Sequence, residues 1–332
     1  MIWNHHSREA KFALQAVRAA AGVCQAVRHD AGGASLRKAD TSPVTVADFA
    51  SQALVGRMLS ESFPADPLVG EEDSAALRRP QEAANLDLVT RFVSLLAPGA
   101  GSGQVCEWID RGAGEPRGRF WTLDPIDGTK GFLRGDQYAL ALALIVDGLV
   151  QVAVLGCPNL VAGFRPAPVG PGSLAVGVRG AGAWVTSLAV PDQPLARLQV
   201  SVVSDPAQAR LLRSFESGHT NVSQVDLFAQ DLGVAAQPVR MDSQAKYMLL
   251  AAGQGELCLR LLSSKQPDYR EKIWDQAAGS LIIEEAGGQV TDLSGFPLDF
   301  TAGRTLARNR GILASNRLLH PAALAALAAI AA

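Results

Sequence analysis

The segment at residues 121–132, with the sequence WTLDPIDGTKGF, places two carboxylates three residues apart. Asp124 and Asp127 follow a short apolar run and share a loop that contains proline and glycine. Carboxylates at close quarters repel unless a cation lies between them, and hard oxygen donors of this kind suit Mg²⁺. The Gly128-Thr129 pair that follows offers backbone N–H groups suited to a phosphate. The segment therefore predicts chemistry that combines a metal ion with a phosphate.

Two further acidic segments support this prediction. In the first, GEED at residues 70–73, three acids follow a glycine after an apolar pair. The second is IWDQAAG at residues 273–279, where Asp275 lies in the first turn of a helical pattern that runs to Ala286. An acid in a first turn also complements the helix dipole, so Asp275 taken alone has an ordinary structural explanation.

Length and charge limit the classes of partner. The chain has 332 residues, of which 48% are hydrophobic, with a net charge of −2 and a pI near 6.2. This is enough for one large domain or two of ordinary size. No block of Lys and Arg is present, so a polymeric nucleic acid is not an expected partner. A small anionic ligand needs only two or three well-placed cations and remains compatible with the charge balance.

The remaining composition predicts an intracellular protein. The four cysteines are scattered without zinc spacing, which favours free thiols in a reducing compartment. No apolar run reaches the length of a membrane span, and the polar start, with His5 and His6, lacks a signal-peptide core. We expect a cytoplasmic location, or an organelle if a transit peptide has been removed, and no obligate protein partner is evident.

The first part of the chain predicts helices at residues 8–29, 45–63 and 82–96. A hairpin is predicted around Asp147-Gly148, because Asp-Gly between β-rich runs favours a two-residue turn. A second hairpin is predicted between residues 175–178 and 183–187. Residues 100–119 hold five glycines and mixed charges, and are predicted to be a mobile surface excursion. These elements predict two helices packed beneath a mostly antiparallel sheet.

From residue 198 onward the pattern changes to an alternation of strands and helices, which indicates an α/β arrangement. Strands are predicted at residues 198–203, 239–241, 257–262, 289–291 and 311–314. Helices are predicted at 206–216, 221–232, 243–252, 274–286 and 316–331. Asp205-Pro206 is a favourable N-cap and first helical residue for the first of these helices.

These motifs together resemble a known family. DPIDGT, GEED and WDQAAGSLIIEEAGG, in different parts of the chain, are similar to the metal-dependent, lithium-sensitive phosphatase superfamily of inositol monophosphatase and fructose-1,6-bisphosphatase. Residues 42–54, 131–139, 242–247 and 269–275 resemble its 3′(2′),5′-bisphosphate nucleotidase branch. The resemblance covers residues 10 to 320. It implies an α+β or α/β protein, a layered αβαβα sandwich, with a metal-binding first half (residues 1–197), a second half (198–332) and the active site between them.

The resemblance also implies the metal ligands. Carried over position by position, two or three Mg²⁺ ions are expected to be held by Asp48, Glu71, Asp124, the carbonyl of Ile126, Asp127 and Asp275. Glu72 and Asp73, the other acids of GEED, are expected to be solvated. Asp48 and Thr129 match a pair that activates the attacking water, with the carboxylate accepting the hydroxyl proton. Seen alone, Asp48 would be an exposed first-turn acid and Thr129 a simple turn residue. Li⁺ and Ca²⁺ are expected inhibitors.

Substrate contacts follow from the same resemblance. The matched residues are Gly128, Thr129, His219, Ser243, Lys246, Arg260 and Asp275. Ser243 opens the predicted helix of DSQAKY, where its hydroxyl and the helix N-terminus suit a phosphate. A lone Arg260 between leucines on a strand would ordinarily point outward into solvent, and His219 would ordinarily be a loop histidine without a role.

The resemblance implies a Mg²⁺-dependent phosphomonoesterase. Its expected substrate is a small nucleotide, 3′-phosphoadenosine 5′-phosphate, with 3′-phosphoadenylyl sulfate as a second one. Hydrolysis of 3′-phosphoadenosine 5′-phosphate to AMP and phosphate would use a metal-activated water, without a phosphoenzyme. An inositol polyphosphate 1-phosphatase or inositol monophosphatase is the alternative enzyme. A catalytically silent nucleotide sensor is a further alternative, although none of the matched acids has been lost.

Overall fold

Two β-sheets alternate with three layers of helices in this protein. The computed structural model describes residues 6–31, 35–37, 43–167, 170–215, 222–262, 266 and 268–330. Its helices are α1 (Ser7–Ala31), α2 (Val46–Ser62), α3 (Ala83–Ser94), α4 (Ser102–Asp110), α5 (Thr129–Arg134), α6 (Val222–Leu232), α7 (Ala245–Ala251), α8 (Ala277–Glu285) and α9 (His320–Ala329). Short 3₁₀ turns occupy Pro80–Glu82 and Pro206–Gln208.

The strands form one large and one smaller sheet. They are β1 (Ser35–Arg37), β2 (Pro43–Thr45), β3 (Leu68–Gly70), β4 (Arg119–Asp127), β5 (Ala139–Val146), β6 (Leu149–Cys157), β7 (Leu160–Val161), β8 (Arg165–Pro166), β9 (Ser173–Val178), β10 (Gly182–Ser187), β11 (Ala196–Arg197), β12 (Leu211–Arg213), β13 (Val239–Arg240), β14 (Leu257–Arg260), β15 (Gln289–Thr291) and β16 (Ile312–Ser315). The seven-stranded sheet has the order β11-β10-β9-β6-β5-β4-β3, and the five-stranded sheet the order β13-β12-β14-β16-β15. Two-stranded pairs, β1-β2 and β7-β8, complete the set.

Three apolar interfaces hold the layers together. Helices α1 and α2 pack on one face of the seven-stranded sheet through a core that includes Phe49, Leu54 and Trp121. Helices α7 and α8 fill the space between the two sheets. Helices α6 and α9 cover the outer face of the five-stranded sheet around Phe228 and Leu313. This is the αβαβα sandwich that the resemblance implied, so the predicted fold class is confirmed.

The predicted boundary between the two halves separates the strands of the two sheets. Every strand of the seven-stranded sheet lies before residue 198, and every strand of the five-stranded sheet lies after it. As a functional division, the boundary stays a prediction. The names first half (residues 1–197) and second half (198–332) are kept below for these two parts of the chain.

Local sequence signals predicted most elements of the first half. Thr45 caps α2 and accepts hydrogen bonds from the N–H groups of Ala47 and Asp48, while Asp48 accepts from Thr45 in a capping box. Asp147 and Gly148 have φ values of 49° and 78°, as a two-residue hairpin turn between β5 and β6 requires. The four cysteines are buried free thiols, as expected. Among the described residues, no helix is long and apolar enough to cross a bilayer.

Three of the predictions of secondary structure were wrong. Residues 100–119 are not simply a surface excursion: they contain α4, because Val105, Cys106 and Ile109 are buried on one face of that helix. The predicted helix at 206–216 is a 3₁₀ turn followed by β12, which pairs in parallel with both β13 and β14. The predicted strand at 198–203 is irregular chain. Its Leu198 N–H donates to the Ala183 carbonyl and its Val200 N–H to the Ala286 carbonyl.

Candidate active site

The acidic pair lies at the end of β4, which is flanked by β5 and by the edge strand β3 of the large sheet. Asp124 is only 2% exposed, and the pairing of β4 with β5 becomes irregular between Asp124 and Asp127. The backbone carbonyl of Ile126 lies inside this irregularity, where the chain leaves regular pairing. Within the part of the chain that the structure describes, the Oδ1 atom of Asp124 has no hydrogen-bond partner. A buried carboxylate oxygen without a partner is unfavourable unless a cation or a proton compensates its charge.

The electrostatics of the pair suit a cation. Burial, and then the negative charges of Glu71 and Asp127, raise the pKa of Asp124 well above its usual value. Burial also raises the pKa of Asp127, although Lys246 opposes the change. The pKa of Asp275 is raised by burial too, with Arg260 opposing it. Three carboxyls that resist ionisation for a shared reason form a donor set that a hard divalent cation would stabilise.

Glu71 reaches the same place from the neighbouring strand. Strand β3 runs parallel to β4, with Gly70 opposite Leu123, so Glu71 and Asp124 extend from adjacent strand ends. The side chain of Gln52, on α2, donates to the Glu72 carbonyl at 2.5 Å and accepts from the Glu72 N–H at 3.0 Å. A Cβ atom at Gly70 would lie 2.5 Å from Gln52 Oε1, so this close approach requires glycine.

The two other acids of this segment differ from each other. Glu72 is 5% exposed, so the expectation that it is solvated was wrong. The two backbone bonds to Gln52 draw the Glu72 residue against α2. Asp73 is exposed as expected, and its side chain accepts a hydrogen bond from the Ala75 N–H at 2.9 Å.

Asp48 and Thr129, the predicted water-activating pair, lie on two helices that border the acidic pair. Asp48 is 1% exposed, not an exposed first-turn acid, and its Oδ2 accepts from the Thr45 N–H at 2.8 Å and the Thr45 hydroxyl at 2.6 Å. Thr129 is the first residue of α5, and its hydroxyl donates to the Ile126 carbonyl at 3.3 Å. The hydroxyl thus bonds to the carbonyl that was predicted to bind metal, and the pairing with Asp48 stays a prediction.

The second half meets this site through residues 243 and 244. The N–H of Gln244 donates to Asp127 Oδ2 at 2.6 Å. Gly128 has a φ of 89°, and a Cβ atom there would lie 2.9 Å from Ser243 Cβ. Ser243 itself has a φ of 62° and lies before α7, so its position at a helix start is close to the predicted one. The predicted phosphate contacts Gly128 and Ser243 are therefore brought together across the two halves.

Lys246 and Asp275 also lie beside this junction. Lys246 is in the first turn of α7 and donates to the Ser214 hydroxyl at 2.9 Å. Asp275 was predicted in the first turn of a helix, but α8 begins only at Ala277 with Gln276 as its N-cap. Its carboxylate is thus placed before the helix, where it is not committed to a cap within α8.

Arg260 does not point freely into solvent. Its Nε atom lies 2.9 Å from Oε1 of the buried Glu271, although the two atoms are not aligned as a hydrogen bond. Its guanidinium lies over the Tyr269 ring, 5.5 Å from the ring centre. Burial acts to lower the pKa of Arg260, but the Glu271 and Asp275 charges outweigh it and the pKa is raised. Arg260 therefore stays charged beside the acidic cluster.

A buried polar network that the sequence did not reveal supports Arg260. Glu271 Oε2 accepts from the Gln276 side chain at 2.9 Å, and Gln276 Oε1 accepts from the Tyr247 hydroxyl at 2.5 Å. Gln244 adds bonds to the Trp274 carbonyl and from the Gly279 N–H. The residues are spread over 35 positions of sequence, so no local spacing marks them as a group.

The other predicted positions complete the description. His219 lies outside the described residues. Among the residues that are described, no three acidic, histidine or cysteine side chains converge closely enough to enclose an ion as they stand. The metal ligands thus remain predictions, supported by the partnerless Asp124 oxygen and by the mutual charge repulsion of the acids.

Comparison with known proteins places the chain in a family. The family model described as "Inositol monophosphatase family" matches residues 4–332. A 3′(2′),5′-bisphosphate nucleotidase from Oryza sativa is 43% identical over 98% of this chain and 94% of its own length. The solved structure of an IMPase from Thermotoga maritima has a TM-score of 0.67 and 18% identity, covering 97% of each chain. An IMPase/NADP phosphatase solved with Mg²⁺ and phosphate has a TM-score of 0.60 and 19% identity, covering 92% of this chain and 89% of its own. The chain belongs to the inositol monophosphatase family.

Proposed function

We propose that this protein is a Mg²⁺-dependent phosphomonoesterase that hydrolyses 3′-phosphoadenosine 5′-phosphate to AMP and phosphate. The observation that carries the proposal is the buried Asp124 carboxylate, whose Oδ1 atom has no hydrogen-bond partner among the described residues. Other acids surround it, and the positive charges of Lys246 and Arg260 act on the neighbouring Asp127. Negative charge on one side suits a metal ion, and positive charge on the other suits a second phosphate. The name of the Oryza sativa relative, at 43% identity, supports the choice of substrate.

Glu71, Asp124, Asp127 and Asp275 are the carboxylates proposed to hold Mg²⁺, with Asp48 and the Ile126 carbonyl. When bound there, Mg²⁺ supplies compensation for the charge of the transferring phosphate and lowers the pKa of a water ligand. The IMPase/NADP phosphatase with Mg²⁺ and phosphate is a precedent from the same fold.

The chain's own residues orient the substrate around the acids. Helix α5 begins directly after Gly128, and the backbone N–H groups at a helix start suit the phosphate to be hydrolysed. The Thr129 hydroxyl is proposed to align the attacking water once Asp48 accepts its proton. Lys246 and Arg260, on α7 and β14, are proposed to hold the non-reacting 5′-phosphate.

The ion pair with Glu271 is what makes Arg260 suitable for this role. A guanidinium that already has a fixed carboxylate beside it loses little rotational freedom when a phosphate binds. Losing one charge-assisted hydrogen bond to a phosphate costs about 1.5–3 kcal/mol, or roughly ten- to a hundredfold in kcat/KM.

The test compares phosphate release from two substrates with Mg²⁺. Wild type should hydrolyse 3′-phosphoadenosine 5′-phosphate in preference to inositol 1-phosphate. Arg260→Lys keeps the charge opposite Glu271 but loses the planar fork, so kcat/KM for the nucleotide should fall roughly tenfold with little change for inositol 1-phosphate. Arg308→Lys is the matched control, because the Arg308 side chain is 70% exposed and, among the described residues, pairs with Asp299 and Thr301.

The outcomes separate the alternatives. If wild type hydrolyses the inositol phosphate faster than the nucleotide, the inositol phosphatase alternative would replace the proposed activity. No turnover of any phosphate ester would favour the catalytically silent sensor. An equal fall for both substrates in Arg260→Lys would make Arg260 a structural residue.

The metal complement is a finer part of the same proposal. We propose two or three Mg²⁺ ions, with Li⁺ and Ca²⁺ as inhibitors, because Ca²⁺ accepts a larger and looser coordination than the site needs. Inhibition by LiCl beyond that of equal NaCl is the expected result. Superimposable lithium and sodium titrations would refute it.

A further inference from the structure

Arg304 joins the two halves directly beside the candidate site. The backbone around it is bonded to the segment that leads to Asp275: the Ile273 N–H donates to the Arg304 carbonyl at 3.2 Å, and the Leu306 N–H donates to the Glu271 carbonyl at 2.8 Å. Lys272 and Thr305 form an antiparallel bridge between these bonds. The main chain of Arg304 is thereby fixed against the second-half segment that carries Asp275.

The guanidinium of Arg304 extends from there into the first half. Its Nη1 donates to the carbonyls of Gly112 at 3.2 Å and Gly114 at 3.4 Å, and its Nη2 donates to the carbonyl of Gly70. The guanidinium also lies over the Trp274 ring, 5.1 Å from the ring centre. Burial lowers the pKa of Arg304. Among the described residues, no carboxylate lies within ion-pair distance of it, so backbone carbonyls and a ring face take the place of a counter-ion.

The backbone segments whose carbonyls accept from Arg304 are hydrogen-bonded to each other. The Gly112 carbonyl also accepts from the Gly70 N–H at 2.8 Å, and the Gly114 N–H donates to the Leu68 carbonyl at 2.9 Å. A Cβ atom at Gly112 would lie 2.3 Å from Gln52 Nε2, so Gly112 lies tightly against α2 as well. Residues 112–114, which lie within the predicted surface excursion at 100–119, therefore hold the strand end that precedes Glu71.

Two of the contacts of Arg304 each lie one residue before a proposed metal ligand. Gly70 precedes Glu71 in the first half, and Trp274 precedes Asp275 in the second half. We propose that Arg304 is a positioning residue, which fixes the separation of Glu71 from Asp275 and so sets the affinity of the site for Mg²⁺. This inference rests on the proposed function, because the separation matters only if both acids bind metal.

The test measures Mg²⁺ binding by the rise in melting temperature during a Mg²⁺ titration, alongside kcat and KM for the substrate. Removing a residue that orients metal ligands typically weakens metal affinity 10- to 100-fold. Arg304→Met should therefore raise the half-saturating Mg²⁺ concentration by roughly tenfold or more, in the melting assay and in the activity assay alike. Arg304→Lys keeps the charge but cannot reach three carbonyls, and should give a smaller increase. Arg308→Met, on the same loop, should match wild type.

The results separate this inference from the proposed function. If wild type shows no Mg²⁺-dependent rise in melting temperature, or if Asp124→Asn keeps that rise, the proposed metal site is wrong. If wild type shows the rise, Asp124→Asn loses it and the Arg304 variants keep the wild-type half-saturation, only the role of Arg304 is overturned. A lower melting temperature with an unchanged half-saturating Mg²⁺ concentration would also overturn that role, because it would show that Arg304 stabilises the fold without positioning the metal ligands. Should Arg304→Met fail to fold, the Mg²⁺ curve of Arg304→Lys decides.

Discussion

A methyl group at Gly279 would not fit between α7 and α8. A Cβ atom there would lie 1.8 Å from Cδ2 and 2.7 Å from Cε2 of the Tyr247 ring. The ring has no room to yield, since Tyr247 is 6% exposed and its hydroxyl is held by Gln276 Oε1 at 2.5 Å. Gly279→Ala must therefore push the two helices apart. Both helices adjoin proposed site residues, so hydrolysis should decline along with stability.

The expected size of the effect follows from the overlap. Overpacking of a core typically costs about 1–3 kcal/mol, and an overlap this deep belongs at the upper end. An unfolding entropy of about 2.1 cal/mol/K per residue converts 3 kcal/mol into a fall of roughly 4 °C for 332 residues. Gly22→Ala is the matched control, because Gly22 is an exposed glycine of α1 with nothing within 4 Å of its added Cβ. It should raise the melting temperature by about 1 °C, since alanine favours helix by about 0.8–1 kcal/mol.

Calorimetry of wild type, both single variants and the double variant Gly279→Ala/Tyr247→Leu provides the measurement. The double variant should lose less stability than the sum of its two single variants, because removing the ring relieves the overlap. A Gly279→Ala melting temperature within 1 °C of wild type would refute the reasoning, and so would strict additivity in the double variant.

Three further predictions follow from buried polar groups. Burial lowers the pKa of His320 to about 4 from 6.5. Between these two pH values the folded state binds fewer protons than the unfolded state, so the free energy of unfolding should fall by about 2 kcal/mol from pH 7.5 to pH 5. In denaturant titrations, the free energy of unfolding of His320→Gln should fall less over this pH range than that of wild type. An equal fall in both proteins would show that His320 does not cause the pH dependence. Asp124→Asn should abolish the Mg²⁺-induced rise in melting temperature. Without metal, the variant should be at least as stable as wild type, because the substitution removes one negative charge from a cluster of like charges. A metal-free variant that is less stable than wild type would contradict the mutual repulsion of the acids. Gln52→Leu should reduce the free energy of unfolding by about 2–4 kcal/mol, because the Glu72 N–H and two carbonyls lose their partner; urea titration with an unchanged midpoint would disprove this.

The physical basis of the His320 prediction is a complete set of hydrogen bonds around a neutral ring. The Thr291 hydroxyl already donates to the Asp292 carbonyl, so His320 Nε2 must donate to Thr291 at 3.0 Å. Its Nδ1 then accepts from the Ser315 hydroxyl at 2.8 Å. Protonation of Nδ1 would replace this acceptor with a second donor and would break the arrangement.

Local signals in the sequence determined much of this protein. The capping box at Thr45 and Asp48, and the Asp147-Gly148 turn, depend on residues within a few positions of each other. For this reason α2 and the β5-β6 hairpin were predicted correctly. The acidic segments at 70–73, 124–127 and 273–279 were likewise visible, because each lies in a motif that resembles a known family. The occurrence of all three motifs in one chain was sufficient to predict the family.

Pairing between distant residues decided the rest. Residues 211–213 lie within the helix predicted at 206–216. In the structure their backbone pairs with β14 at Leu257, and the Arg210 N–H donates to the Glu256 side chain. Long-range bonds of this kind override a weak local preference. The helix at Ser102–Asp110 was hidden by flanking glycines, although its buried face packs on α2.

The candidate site shows the same division between chemistry and placement. The sequence determined which carboxylates and cations are present, because a side chain's chemistry does not depend on the fold. Only the tertiary structure decided that Gln244 reaches Asp127, that Glu271 faces Arg260, and that Arg304 connects the segments before Glu71 and Asp275. These contacts join residues from 11 to 234 positions apart. They form only when the two sheets and their helices close around the acids, so no spacing along the chain could have predicted them.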